Sequence, residues 1–295
     1  MMTTLLLMAV LAADEVVWHQ EVAGKTRVGL SGGLDDRATG AADRKVMLAG
    51  LDPWVAFFEK GIAPKGLDVV INKRAHGGSK TKDGPWYQSV DVMLLKYTSS
   101  PRWGNQVRLE DETGLTFHVN INSVAPLGDT LYRVGETEKG GAMFLAPDSV
   151  SRHGFTEYVV SQTDRALVLT APGQELFVPV SRRDLWGSLK KEYQKKRIDT
   201  SKLDEDHAAL SPAELDAQAY AAPEIGSRWP GLSPPKGKPV VKYNPKFFKT
   251  RTQRTAPHFA MVHWKCSRLQ PQDFGWMESL VERLDWQALA KLLAP

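Results

Sequence analysis

Residues 115–124 read LTFHVNINSV. Side chains along a strand alternate between two faces. Phe117, Val119 and Ile121 therefore point one way, and Thr116, His118, Asn120 and Asn122 point the other. A line of His118, Asn120 and Asn122 donates and accepts hydrogen bonds without a charge cost, which suits the floor of a groove for a small ligand. The plainer alternative is a polar strand face that meets only water.

Other spacings carry less. Gly29-Leu30-Ser31-Gly32-Gly33 fits the G-x-S-x-G pattern of a nucleophile elbow, with His258 available downstream. That turn needs a core strand before it and a helix after it, and GLDDRATG is a poor helix start. A glycine-rich loop is the plain counterpart. Gly77-Gly78-Ser79-Lys80-Thr81 fails the phosphate-loop spacing, because Lys82 or Asp83 stands where the second glycine belongs. His258 and His263 are five apart and fall on opposite faces of a strand. His263 and Cys266 are three apart with no second pair to complete a zinc set. No carboxylates are spaced as an acid/base couple. The spacings assign no catalytic residue, no metal and no cofactor.

Charge is unevenly spread. The chain of 295 residues has a formal charge of +4, yet residues 225–272 hold ten Lys and Arg and no Asp or Glu. Trp229, Tyr243, Phe247, Phe248 and Trp264 are interleaved with those cations. A basic stripe with aromatics is a footprint for a polyanion. Lys242, Lys246, Lys249, Arg251, Arg254 and Trp264 are its candidate contacts. The Lys-rich face of residues 182–197 is a second candidate. The plain counterpart is a strap whose cations pack against an otherwise mildly acidic body.

The elements that must position these residues are mostly strands. Residues 24–50 read as a loop with one short element. Asp52-Pro53 opens a short helix with Trp54, Phe57 and Phe58 on one face. Strands fit residues 68–72, 88–97, 107–110, 115–124, 130–134 and 142–145, with 111–114 as a hairpin loop. Pro172-Gly173 fits the centre of a type II turn, after which Glu175–Val180 returns as a strand. Ser181 with Asp184, and Ser211 with Pro212 and Glu214, carry helix-start signatures. Residues 223–239 hold five prolines and three glycines and read as a linker. Phe259–Trp264 fits a strand, and 273–284 and 286–293 fit closing helices.

The stretch ALVLTAPGQELFVPVSRRDLWGSLKKEYQKK resembles a segment of uncharacterised exported bacterial proteins. They share a strand, a Gly turn, a strand ending in "PV[ST]R" and a charged helix. The matching residues are Pro172-Gly173, Leu176 to Arg182 and the helix that follows. The resemblance spans residues 166–197 and implies export, with no activity attached.

Leu5 to Ala13, LLLMAVLAA, is too short for a bilayer, which needs about 20 apolar residues. It has the length of a signal-peptide core with small residues at Ala12 and Ala13, although Met1 to Thr4 lack a basic residue. Cys266 is the single cysteine, so no intramolecular disulfide forms. No later run is long enough for a transmembrane helix. The expected fold is α+β, an antiparallel β-rich core over about 67–180 with helices segregated to the C-terminal part. The expected order is a signal peptide at 1–13, a β-rich domain at 14–180, a helical segment at 181–222, and a basic Pro-rich strap with closing elements at 223–295. The expected function is non-catalytic: an exported, periplasmic or secreted protein that binds anionic envelope glycan or lipid headgroups, not nucleic acid. A secreted serine hydrolase using Ser31 is the alternative.

Overall fold

The computed structural model describes residues 16–30, 40–76, 85–111, 114–128, 130–137, 141–222, 237–248, 254–265 and 271–293. In chain order the elements are β1 (Val17–Trp18), β2 (Thr26–Leu30), α1 (Ala41–Gly50), α2 (Asp52–Gly61), β3 (Leu67–Ala75), β4 (Gln88–Ser99), β5 (Arg108–Leu109) and β6 (Thr116–Ile121). Then come β7 (Arg133–Glu136), β8 (Ala142–Leu145), β9 (Ser149–Arg152), β10 (Phe155–Val159), β11 (Arg165–Leu169), β12 (Phe177–Pro179), α3 (Arg182–Lys195), α4 (Ser201–Ala208) and α5 (Pro212–Asp216). The last are β13 (Tyr220–Ala221), β14 (Lys238–Tyr243), β15 (Ala260–Lys265), α6 (Pro271–Arg283) and α7 (Trp286–Ala290).

The larger sheet runs β2-β3-β4-β6-β15-β11-β10-β9, with β1 and β5 also on β4. It is mixed rather than purely antiparallel, because β2 pairs with β3 in parallel. A parallel pair needs a long crossover, and α1 and α2 lie within that connection. So part of residues 24–50, expected to be mostly loop, forms β2 and α1. The helices fall mostly in the C-terminal half. The smaller sheet runs β12-β14-β8-β7, with β13 on β14.

Alternation explains the layers. Val90, Val92 and Leu94 of β4 and Phe117 and Val119 of β6 are fully buried, and they join Trp54 and Phe58 of α2, Met277 and Val281 of α6 and Trp286 of α7 in one core. The opposite face of β10, β11 and β15 (Tyr158, Ala166, Val168, Met261) packs on Phe144 of β8 and Phe177 of β12. The outer face of the smaller sheet, through Met143, Leu145 and Val240, packs on Leu185, Trp186 and Leu189 of α3. Helices, large sheet, small sheet and helices thus form four layers.

Local signals hold where backbone geometry enforces them. Ser181 Oγ accepts the Asp184 amide at 3.1 Å at the start of α3. Ser211 and Glu214 form both halves of a capping box at α5. Gln174 N donates to Ala171 O at 3.1 Å, and Gly173 has φ +73°, the left-handed value a type II turn demands. The strand after this turn does not return to β11. It crosses to the smaller sheet, where β12 pairs with β14. Nor do β5 and β6 form a hairpin across residues 111–114; both pair with β4, β6 along Gln88–Met93 and β5 at Tyr97–Thr98.

Candidate functional site

Because Phe117, Val119, Val90, Val92 and Val262 face the first core, the intervening residues of β4, β6 and β15 face the other way. The register sets Asp91 opposite His118, and His118 opposite His263. One row therefore crosses three neighbouring strands as Asp91, His118, His263. The next row carries Ser89, Asn120 and Met261. Met261 already belongs to the contact with the smaller sheet, so the polar patch begins where that contact ends.

Within the patch, His118 Nδ1 donates to Asp91 Oδ1 at 2.9 Å. Arg74 Nε lies 3.5 Å from Asp91 Oδ2. The His118 and His263 rings stack with centroids 6.0 Å apart. His263 Nε2 is buried and has no hydrogen-bond partner among the described residues. Burial first, then the neighbouring His118, pushes the His263 imidazole down to about 4, with Asp164 acting against them and Lys265 with them. His263 is therefore neutral at physiological pH.

A second group borders the row. Tyr87 Oη donates to Asn120 Oδ1 at 2.7 Å, and the His76 ring stacks on Tyr87 with centroids 4.1 Å apart. His76 Nε2 is 3.1 Å from Ser89 Oγ. Burial and the Arg74 charge hold the His76 imidazole below its usual range. Beyond them the Arg254 guanidinium lies over the Trp86 ring at 4.9 Å.

Of His118, Asn120 and Asn122, the first two lie on β6 and belong to this patch. His118 is part exposed and Asn120 is 7% exposed. Asn122 is a clamp, not a ligand group. It follows the strand with φ +59°, donates to Trp86 O and Ala256 O, and accepts the His258 amide at 2.8 Å. Asp91, His263, Tyr87 and His76 had no local motif to mark them. The available signal was alternation in SVDVML and MVHWK, where a lone polar residue sits between core residues.

The basic segment is not a single outer strap. Its β14 and β15 lie inside the two sheets. Trp264 is fully buried, and its indole N–H donates to Glu278 Oε1 at 3.0 Å, so it is no surface platform. Lys242 pairs with Asp184 at 3.1 Å, and Lys238 pairs with Asp148 at 2.7 Å. Lys246 is exposed, on the turn after β14. Arg254 stacks on Trp86 beside the polar patch. Lys249 and Arg251 lie outside the described residues, as do Ser31 of the elbow-like motif, residues 77–84 and residues 1–15. On α3, Lys190 pairs with Asp204 and Lys196 with Glu192.

Chemically, a carboxylate on Nδ1 leaves the outward Nε2 of His118 as a hydrogen-bond acceptor or proton carrier. Among the described residues no hydroxyl or thiol is hydrogen-bonded to that nitrogen. No group of three metal-ligating side chains is found among them, and no helix among them is long and apolar enough to cross a membrane. No family model, curated protein or solved structure matches this chain.

Proposed function

We propose that this chain is a non-catalytic binding protein of the bacterial cell envelope, and that its ligand seat is the polar sheet face around Asp91, His118, Asn120 and His263. The observation that carries the proposal is the partnerless, buried Nε2 of His263 beside the Asp91–His118 pair. A buried polar atom left unpaired costs about 1–3 kcal/mol, and a bound hydroxyl or amide recovers that cost. Imidazoles, an amide and a phenol match sugar hydroxyls, and the stacked His76–Tyr87 pair offers a ring face. Arg74 and Arg254 give the margin a positive character suited to an acidic glycan. The export half of the proposal is supported by the LLLMAVLAA run and by the resemblance over residues 166–197.

The test is a titration of the full chain with alginate, with a neutral maltooligosaccharide and with phosphatidylglycerol vesicles, at low and high salt. Saccharide binding that weakens about tenfold in His118→Ala is expected, the loss of one hydrogen bond at the upper end of its usual worth. Binding indifferent to His118→Ala and Asn120→Ala would sink the proposal. Binding to vesicles alone would replace the glycan with a lipid headgroup. Saccharide cleavage that depends on His118 would make the protein an enzyme.

A further inference from the structure

A concave site lies apart from the polar patch, where β10 begins and β11 ends. It is a cleft of about 560 Å³ between those strand ends, the Ala171–Gln174 turn and α7. Small-molecule sites commonly enclose about 300–1,000 Å³. Phe155, Val168 and Leu176 give it an apolar floor. Tyr158 also lines it, and that residue is 7% exposed. The Phe177 ring holds the Tyr158 ring edge-on at 5.7 Å. Among the described residues no side chain or backbone group is hydrogen-bonded to the Tyr158 hydroxyl, and Tyr158 lines the cleft, so a bound molecule can take that donor.

We propose that this cleft binds a small, neutral, ring-shaped molecule whose carbonyl or ether oxygen accepts the Tyr158 hydroxyl. Three features select that chemistry. The apolar floor takes a ring. The phenol supplies one donor. Glu175 and Lys291 both line the cleft, so its charged groups cancel, which suits a ligand without net charge. Burial first, and then Glu175, holds the phenol proton on well above the usual tyrosine range, so Tyr158 remains a donor at any physiological pH. The site is rigid on both sides. Gly173 closes one wall in a type II turn, and Gln287 of α7 donates to His153 O at 2.8 Å to fix the other.

The test compares benzamide, benzoate and toluene, three rings of similar shape, by amide chemical-shift changes in the full chain. Benzamide is expected to shift the Gly154, Gly173 and Gln287 signals and to bind more tightly than either benzoate or toluene. Tyr158→Phe should weaken benzamide about three- to tenfold, the range of one hydrogen bond, and leave toluene unchanged. Ala171→Trp should fill the cleft and abolish all binding. The proposal is overturned if benzamide shifts none of these signals, if benzoate binds as tightly as benzamide, or if Tyr158→Phe leaves benzamide binding intact. Tyr158→Phe changes only one oxygen, so the outcome stands even where Ala171→Trp disturbs the fold.

Discussion

His263 alternates with Val262 and Trp264, which sit in the core, and so it had to face the opposite side of the sheet. What makes it consequential is pairing with strands far away in sequence. Its imidazole titrates at about 4 in the folded chain against 6.5 when unfolded. The unfolded chain therefore takes up the proton first. Stability is full above about pH 6.5 and is lost as the pH falls from there toward about 4. At pH 5 the loss from this one group is about 2 kcal/mol. Urea midpoints at pH 7 and pH 5 should thus be farther apart for the native chain than for His263→Gln, which cannot take the proton. Equal gaps in the two proteins would show that His263 is not the source. A saturating ligand on Nε2 should raise both midpoints and leave the gap between them nearly unchanged, because at pH 5 the folded imidazole is still mostly neutral.

At the scale of elements, the clearest signals are those a few residues can enforce alone. Ser181 illustrates this: its hydroxyl satisfies an otherwise open amide at the start of α3, and α3 buries Leu185, Trp186 and Leu189 against the smaller sheet. Ser181→Ala should lower stability by about 1 kcal/mol and Ser181→Asp should restore most of it, read as Tm by calorimetry. The same locality made α2, α5, the Pro172-Gly173 turn and the alternation of β6 legible in the sequence. Partners were not legible. Residues 107–110 and 115–124 suggest a hairpin because they are adjacent, yet both pair with β4. β14 was hidden by its composition: KPVVKY carries a proline and two lysines, and it becomes a strand because β8, β12 and β13 pair with it. The candidate site divides in the same way. His118 and Asn120 were visible from period two within one strand. Asp91 and His263 enter only through cross-strand register.

At the scale of the molecule, ion pairs tie the closing helices to the strands. Arg152 bonds Glu157 of β10 and Glu278 of α6, each at 2.6 Å. Lys96 of β4 meets Asp273 of α6 at 2.8 Å, and both side chains are only 3% exposed. Breaking such a buried pair from one side costs about 3–5 kcal/mol, because a charge is left without its partner. Lys96 also lies 3.7 Å from Glu110, so Lys96→Met should destabilise strongly, and Lys96→Met with Asp273→Leu should recover only part of the loss in urea denaturation. A double variant no more stable than the single would show that the pair does not behave as one unit.

β15 occupies the middle of the large sheet, with β6 on one side and β11 on the other. β14 sits between β8 and β12 in the smaller sheet in the same way. Both inner strands come from the last quarter of the chain. A growing polypeptide can pair β3, β4 and β6, and separately β9, β10 and β11, but it has nothing to join the two groups until residue 265 emerges. Contacts this distant in sequence form slowly. Completion of the fold therefore waits on the end of synthesis, and a chain ending at Phe259 should be cut readily by protease where the full chain resists. A protein built this way remains threadable until nearly all of it has been made.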